Sequence, residues 1–201
     1  MWAIVQAAGW PIWFLIVASV VAFALIFERL RALRGSQIVP PTALRQAIAM
    51  IEAPTAQAEL SQLVAQGSAG AVLAAGVYAA PQGTASMRLA MEDALHLESH
   101  KLNRYLPALG TIAGVAPLLG LFGTVIGMIE TFGAQTPSGM NPAQLAHGIS
   151  VALYNTALGI FVAIVALLAY KFLRSRVEQF VLTIEAAAGR LLREAQARGR
   201  A

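Results

Sequence analysis

Two threonines, an asparagine and a glutamate lie in or beside runs of sequence otherwise suited to hydrocarbon. Thr124 sits in "GVAPLLGLFGTVIGMIETF" (Gly114–Phe132), with Glu130 near its end, and Asn155 and Thr156 sit in "GISVALYNTALGIFVAIVALLAYKFL". A buried amide in a bilayer is costly enough to want a purpose. Pro117 frees a backbone carbonyl, which is tolerated at membrane depth only where protein or water satisfies it. Hydroxyls, an amide and a bare carbonyl can line a polar path. No Asp, Glu, Lys or Arg lies mid-span, so the chain has no obvious proton relay of its own.

The spacing around these groups predicts how they are held. Ala113, Pro117, Gly120, Thr124, Gly127 and Thr131 follow one another at intervals of 4, 3, 4, 3 and 4 residues. Ala152, Thr156, Gly159, Ala163, Ala166 and Tyr170 repeat the same rhythm. This spacing keeps residues on one helix face in left-handed packing. Both faces are small and each carries one mid-span threonine, Thr124 and Thr156. Close packing explains them, since small residues let membrane helices approach, Gly110/Gly114 and Gly123/Gly127 are GxxxG pairs, and threonines can bond their own backbone. A polar pathway explains them too. Both readings stand at this point.

The elements that must position these faces follow from composition. The chain has 201 residues, 58% hydrophobic and 12% charged, well under the roughly 25% charged of soluble domains. Met1–Phe27, Tyr105–Ile129 and Ile149–Tyr170 contain no Asp, Glu, Lys or Arg, and each meets the requirement of about 20 apolar residues for a span. An all-α membrane protein with three transmembrane helices and long helical cytoplasmic extensions is expected. A cleavable signal peptide would begin with positive residues, whereas here they follow the apolar run. All 14 Lys and Arg lie in Glu28–Arg104 or Lys171–Ala201. The positive-inside bias therefore puts the N-terminus outside and the C-terminus inside. Topology accounts for the net charge of +4 without nucleic acid as a partner. The absence of cysteine removes disulfides, thiolate metal sites and cysteine nucleophiles.

Along the chain, 1–34 is read as the outer N-terminus and first transmembrane helix, with Trp2, Trp10 and Trp13 near its outer end. The segment 35–104 is a cytoplasmic helical region, 105–132 the second span, 133–146 an outer loop, 147–172 the third span and 173–201 a cytoplasmic helix. Thr42 and Thr55 are placed to cap helices. "AGAVLAAGVYAA", too short to span, is expected to pack against another helix, stopping at Pro81. A last cytoplasmic helix from Thr84 or Ser86 should flow through "LHLESHKLNRYL" into the second span. Asn141-Pro142 is a good helix start. The third helix should run unbroken into the cytoplasm for roughly 30–40 Å, with Leu173, Val177, Phe180, Ile184, Leu191 and Ala195 on its apolar face.

"APLLGLFGTVIGMIETF", followed about 20 residues later by the "GISVALYNTALGIFVAIVALLAYKFL" run, resembles the MotA/TolQ/ExbB proton-channel family. Three spans and this length look most like its ExbB and TolQ members. The resemblance implies a homo-oligomeric ring, typically a pentamer, in the bacterial inner membrane. The ring would surround two single-span helices of an ExbD/TolR-like partner. Protons moving down their gradient would drive motion passed to TonB or Tol proteins. Thr124 and Thr156 match the family's threonines facing the partner's aspartate. Asn155, Glu130, Pro117, Gly120, Gly127, Ala152 and Gly159 would accompany them on the ion pathway or partner-facing surface. On this reading the glycines make room for a helix inside the ring. ExbB-like energising of outer-membrane transport is the first expectation, a TolQ-like role in envelope maintenance the second, and a non-conducting scaffold the alternative from another class.

The sequence departs from the family pattern at Val151, often Glu, and at Val165, often Pro. Glu130 could attract protons or simply be solvated, and His147 reads as an exposed interface residue. His96 and His100, with Glu92 nearby, have metal-compatible spacing but read as a solvated helix face. No metal, cofactor or enzymatic activity is expected, because no Ser/His pair, paired Asp or metal cluster falls within the spans.

Overall fold

The computed structural model describes residues 9–34, 38–52, 57–133 and 142–198. Among these there is no strand, and the helices are α1 (Ile12–Ala32), α2 (Pro41–Glu52), α3 (Gln57–Val64), α4 (Ser68–Ala79), α5 (Thr84–Leu102), α6 (Leu106–Gly133) and α7 (Pro142–Arg198). A short 3₁₀ turn, Ala80–Gln82, joins α4 to α5. Three helices are long and apolar enough to cross a membrane: α1, one within Thr84–Gly133 and one within Leu145–Arg198. This is an all-α membrane protein. The contacts group into two units, Met1–Arg29 with Tyr105–Phe172, and Leu30–Arg104 with Leu173–Ala201.

In the first unit the three apolar helices pack on one another. Ile12 of α1 meets Val151 of α7, with Ile16 and Leu158 against them. Ala116 of α6 meets Val162 and Ala163 of α7, flanked by Ile112 and Leu158. The Trp10 ring meets Phe122 edge-on at 6.0 Å. The outward faces stay apolar, as Val17, Val20, Phe23 and Phe27 on α1 and Leu118, Leu121 and Val125 on α6 show. Such faces suit lipid, which imposes no penalty on exposed hydrocarbon.

The second unit is built around α4, which touches α2, α3 and α5. Ala69, Val72, Leu73, Ala74, Val77 and Ala79 are buried, so the short apolar run packs inside protein as its length predicts. Gly67 and Gly83 precede α4 and α5 at φ values of 96° and 101°, a backbone that glycine adopts without strain. The C-terminal part of α7 buries Leu173, Val177, Ile184, Ala188 and Leu191. Phe180 and Ala195 are half-buried, and the charged residues between them are exposed.

Two expectations are corrected. Helix α5 does not continue into the second span; it stops at Leu102, and Asn103–Tyr105 are non-helical before α6 begins. Pro107, the second residue of α6, is the cause. It lacks the N–H that would reach back to Asn103, and its ring clashes with that carbonyl in a continuous helix, costing roughly 3 kcal/mol. In the first turn both penalties vanish. The Asn103 side chain closes α5 by donating from Nδ2 to Ser99 O at 2.9 Å. Second, α2 starts at Pro41, ahead of Thr42, whose hydroxyl instead donates to Gln66 Oε1 at 3.3 Å. The expected cap residues Thr55 and Asn141 and the interfacial Trp2 lie outside the described residues.

Candidate functional site

The site is the seam between α6 and α7 within the first unit, and its register can be followed contact by contact. As the chain climbs α6 it meets progressively earlier residues of α7, so the helices run antiparallel. A β-carbon on Gly110 would lie 3.4 Å from the Tyr170 ring. One on Gly120 would lie 2.8 Å from Asn155 O and 3.1 Å from Thr156 Cα. One on Gly127 would lie 3.5 Å from Ala152 Cβ, and one on Gly148 would overlap the Thr131 side chain. The face read from the 4-3-4-3-4 spacing is the face that meets.

Closest approach is at Gly120 and Gly159. A β-carbon on Gly159 would stand 2.6 Å from Ala116 O and 2.9 Å from Gly120 Cα. Carbon–carbon contacts are comfortable only at about 3.5–4.0 Å. Backbone therefore lies on backbone here, and no larger residue fits at either position without parting the helices. Pro117 sits inside α6 without ending it.

The closeness brings two hydroxyls and one carbonyl together. Thr124 Oγ1 donates to Gly120 O at 3.1 Å, one turn earlier in its own helix, and lies 3.4 Å from Ala152 O across the seam. Thr156 Oγ1 reaches Gly120 O at 3.3 Å. The two hydroxyls also lie within hydrogen-bonding reach of each other, so the single Thr156 proton is shared between Gly120 O and Thr124 Oγ1. Both threonines are half-buried. Two hydroxyls carry two protons and four lone pairs. Here both protons have acceptors within the chain, so what the pair offers outward is acceptor capacity. Beside it, Thr124, Val125, Met128, Ile129, Phe132 and Gly133 line an open groove of about 610 Å³.

The other sequence-predicted residues divide. Ala152 is buried to 1% and Asn155 to 0% exposure, and Gly159 is buried. Asn155 lies flat over Gly123, whose β-carbon would come within 2.9 Å of Asn155 Cβ and Cγ. That contact falls off the 4-3-4 stripe, and its one sequence signal is the Gly123/Gly127 pair. Glu130 is exposed and does not join the hydroxyl pair; its Oε2 would be 3.9 Å from a β-carbon on Gly9. His96, His100 and His147 are exposed, and no metal-holding group of three or more His, Cys, Asp or Glu occurs among the described residues. Val151 is 9% exposed and packs on Ile12, so at this position an aliphatic contact with α1 stands where the family pattern often has a carboxylate.

One contact was not legible in the sequence. Arg29, near the C-terminal end of α1, is 6% exposed. Its guanidinium donates to Glu28, Nη2 to Oε1 at 2.7 Å, and lies 5.2 Å from the centroid of the Tyr105 ring.

Comparison with known proteins places the seam in a family. The profile described as the MotA/TolQ/ExbB proton channel family matches residues 51–186, which takes in α6 and most of α7. The chain is similar to biopolymer transport protein exbB1 of Vibrio cholerae, at 37% identity over 172 residues, 80% of this chain and 73% of that protein. Its similarity to the Tol-Pal system protein TolQ of Pseudomonas aeruginosa is 41% over 93 residues, 46% of this chain and 40% of that one. For an ExbB homologue of Methanothermobacter thermautotrophicus it is 44% over 98 residues, 48% of this chain and 34% of that one. The chain thus spans nearly three quarters of the first relative and well under half of the other two. With more than half its length inside the profile and the glycine-threonine seam inside that match, this multi-pass membrane protein belongs to the MotA/TolQ/ExbB proton channel family.

Proposed function

We propose that the chain is the ring-forming subunit of a proton-motive-force-driven motor of the bacterial inner membrane. It would act in the manner of ExbB, with an ExbD-like single-span partner, to energise TonB-dependent outer-membrane transport. The N-terminus and the loop 133–146 face the periplasm in this reading, and 35–104 and 173–201 face the cytoplasm, as the distribution of basic residues suggests. A homo-oligomeric ring, pentameric by resemblance, encloses the partner helices. Protons are what it passes.

The observation that carries the reading is the Thr124–Thr156 pair. It is a mid-span polar site with both protons committed internally, next to an apolar groove. Such a site accepts hydrogen bonds readily. It suits a protonated carboxyl group, which has an O–H to donate, better than a carboxylate, which could be served only if a hydroxyl let go of Gly120 O. A partner's carboxyl would thus pass the pair in neutral form, and the chain itself need not ionise. Asn155, Pro117, Gly120, Gly127, Ala152 and Gly159 build the wall that holds the hydroxyls, and Glu130 stands apart as a candidate outer proton collector.

A Tol-type role is the second reading, favoured by the 41% identity with a TolQ protein over 93 residues of the chain. The partner distinguishes the two. Co-reconstitution with an ExbD-like chain should raise proton flux into liposomes above that of this chain alone. Changing the partner's membrane aspartate to asparagine should abolish the gain. Thr124→Val/Thr156→Val keeps shape and loses both hydroxyls; assembly should persist while gradient-driven flux falls at least tenfold. Full flux in that double variant removes the hydroxyls from the mechanism. No flux with any working partner leaves a scaffold.

A further inference from the structure

Tyr105 is the one non-glycine residue with positive φ, 66°, among the described residues. That region is unfavourable for an ordinary L-residue, because Cβ crowds the following carbonyl oxygen, and Asn and Asp visit it far more readily than tyrosine. The strain sits at a decisive place, since α6 begins at the next residue and Leu109 N donates to Tyr105 O at 3.2 Å to close its first turn. Leu106 and Leu109, 2% and 0% exposed, are already locked into the core, and Gly110 is already against Tyr170. The register of α6 along α7 is therefore set within one turn of a strained residue.

The Tyr105 ring has a charged neighbour that a tyrosine at a membrane edge would not otherwise need. Arg29 lies over it at 5.2 Å with its side chain 7% exposed. Glu28 grips the guanidinium through Nε and Nη2, a two-point hold that fixes its plane. A desolvated guanidinium on an aromatic face is at the strong end of such interactions.

We infer that Arg29 and Tyr105 form a register clasp. The guanidinium of α1 holds Tyr105 in its left-handed conformation, and through it fixes where α6 starts and so which residues of α6 and α7 stand opposite each other at the seam. Arg29 is a positioning residue: it touches neither Thr124 nor Thr156 and acts on their alignment from the other end of the helix. The inference concerns alignment alone and holds whether or not the seam conducts.

The chain contains no cysteine, and this permits a direct register readout. A β-carbon at 127 would lie 3.5 Å from that of Ala152, inside the window of about 3.5–4.5 Å that a disulfide needs. Gly127→Cys/Ala152→Cys in the full chain in membranes should therefore cross-link rapidly under mild oxidation. Adding Arg29→Met should slow it about three- to tenfold and raise cross-linking of a pair one turn out of register on the same face, Gly127→Cys/Thr156→Cys. Tyr105→Phe, which keeps the ring, should behave as the parent. Tyr105→Gly relieves the strain, so adding it to Arg29→Met should restore the parent rate. Should Arg29→Met not accumulate in the membrane, Arg29→Lys and Tyr105→Ala give the same reading, the first a partial loss and the second a full one. Unchanged rates in Arg29→Met, or a loss in Tyr105→Phe as large as in Tyr105→Ala, would overturn the clasp.

Discussion

Adding a single methyl group at chosen glycines of the seam tests the packing most severely, because the structure assigns each a different neighbour. In Gly159→Ala the new carbon must stand clear of Ala116 O and Gly120 Cα, which lie 2.6 and 2.9 Å from its ideal position. Both are backbone atoms and cannot swing aside, so the helices must part by roughly 1 Å to regain an ordinary contact. Overpacking of this kind costs about 1–3 kcal/mol. Parting also stretches the bond by which Thr156 crosses the seam, to Gly120 O or to Thr124 Oγ1, worth about 0.6 kcal/mol in a membrane. The better helix propensity of alanine returns at most about 1 kcal/mol. The net loss is about 1–3 kcal/mol. Gly120→Ala, against Asn155 O at 2.8 Å, should come close behind. Gly127→Ala meets Ala152 Cβ at an ordinary 3.5 Å and Gly114→Ala meets nothing within 4 Å. These two should be neutral or stabilising by up to about 1 kcal/mol. The assay is reversible SDS-driven unfolding of the full chain in mixed micelles, followed by tryptophan fluorescence and helical circular dichroism. Equal effects at 114 and 159, or a gain at 159, would refute the backbone contact as drawn.

Elsewhere the same reasoning gives sharper contrasts. Gly70→Ala should prevent the second unit from folding, since the methyl would fall 1.9 Å from Leu63 O, whereas Gly76→Ala should be tolerated because its nearest neighbour is the flexible end of Met91; protease resistance of the 30–104 segment distinguishes them. Val151→Glu should destabilise the fold by roughly 2–3 kcal/mol in the same micelle assay, because Ile12 offers a carboxyl no partner. Topology can be checked with single cysteines at two exposed positions, His147 and Arg193. A membrane-impermeant thiol reagent should label His147→Cys in intact cells and spare Arg193→Cys; the reverse pattern would invert the proposed orientation.

How far the sequence could be read depended on whether a feature was periodic. The seam was legible because a helix repeats its face every three or four residues, so Gly120, Thr124, Gly127 and Thr131 announce a stripe before any partner is known. The inner face of α7, through Leu173, Val177, Ile184 and Leu191, was legible for the same reason. Aperiodic features were not. The break before α6 hangs on Pro107, yet that proline falls at the start of the charge-free run that begins at Tyr105, and proline inside membrane helices is common enough to pass unremarked. Asn155 could be flagged as costly, but its place across Gly123 emerges only in the folded chain. The Arg29–Tyr105 contact joins residues far apart in the chain with no pattern linking them. Glycine at 120 and 159 was read as room for a helix from another chain; the structure fills that room first with this chain's own backbone.

That last point bears on whether the seam is packing or chemistry, which were set out as rivals. They are not independent. Thr156 can reach Gly120 O and Thr124 only because Gly120 and Gly159 let the two backbones touch, and these acceptors within the chain fix the direction of both protons. Were the helices a little further apart, the threonines would each fall back on their own preceding turn, as Thr111 and Thr131 do with Pro107 O and Gly127 O. They would then form two separate groups rather than one acceptor pair. Close packing is thus the condition under which the hydroxyls become a site. It follows that Gly159→Ala and Thr124→Val/Thr156→Val should impair the same activity by different routes, the first by separating an intact hydroxyl pair and the second by removing it from an intact seam. The Gly127→Cys/Ala152→Cys cross-link separates the two cases, because its rate should fall in the alanine variant and hold in the valine one. A valine variant that also lost the cross-link would mean that the hydroxyls hold the helices together, and the order of cause argued here would be reversed.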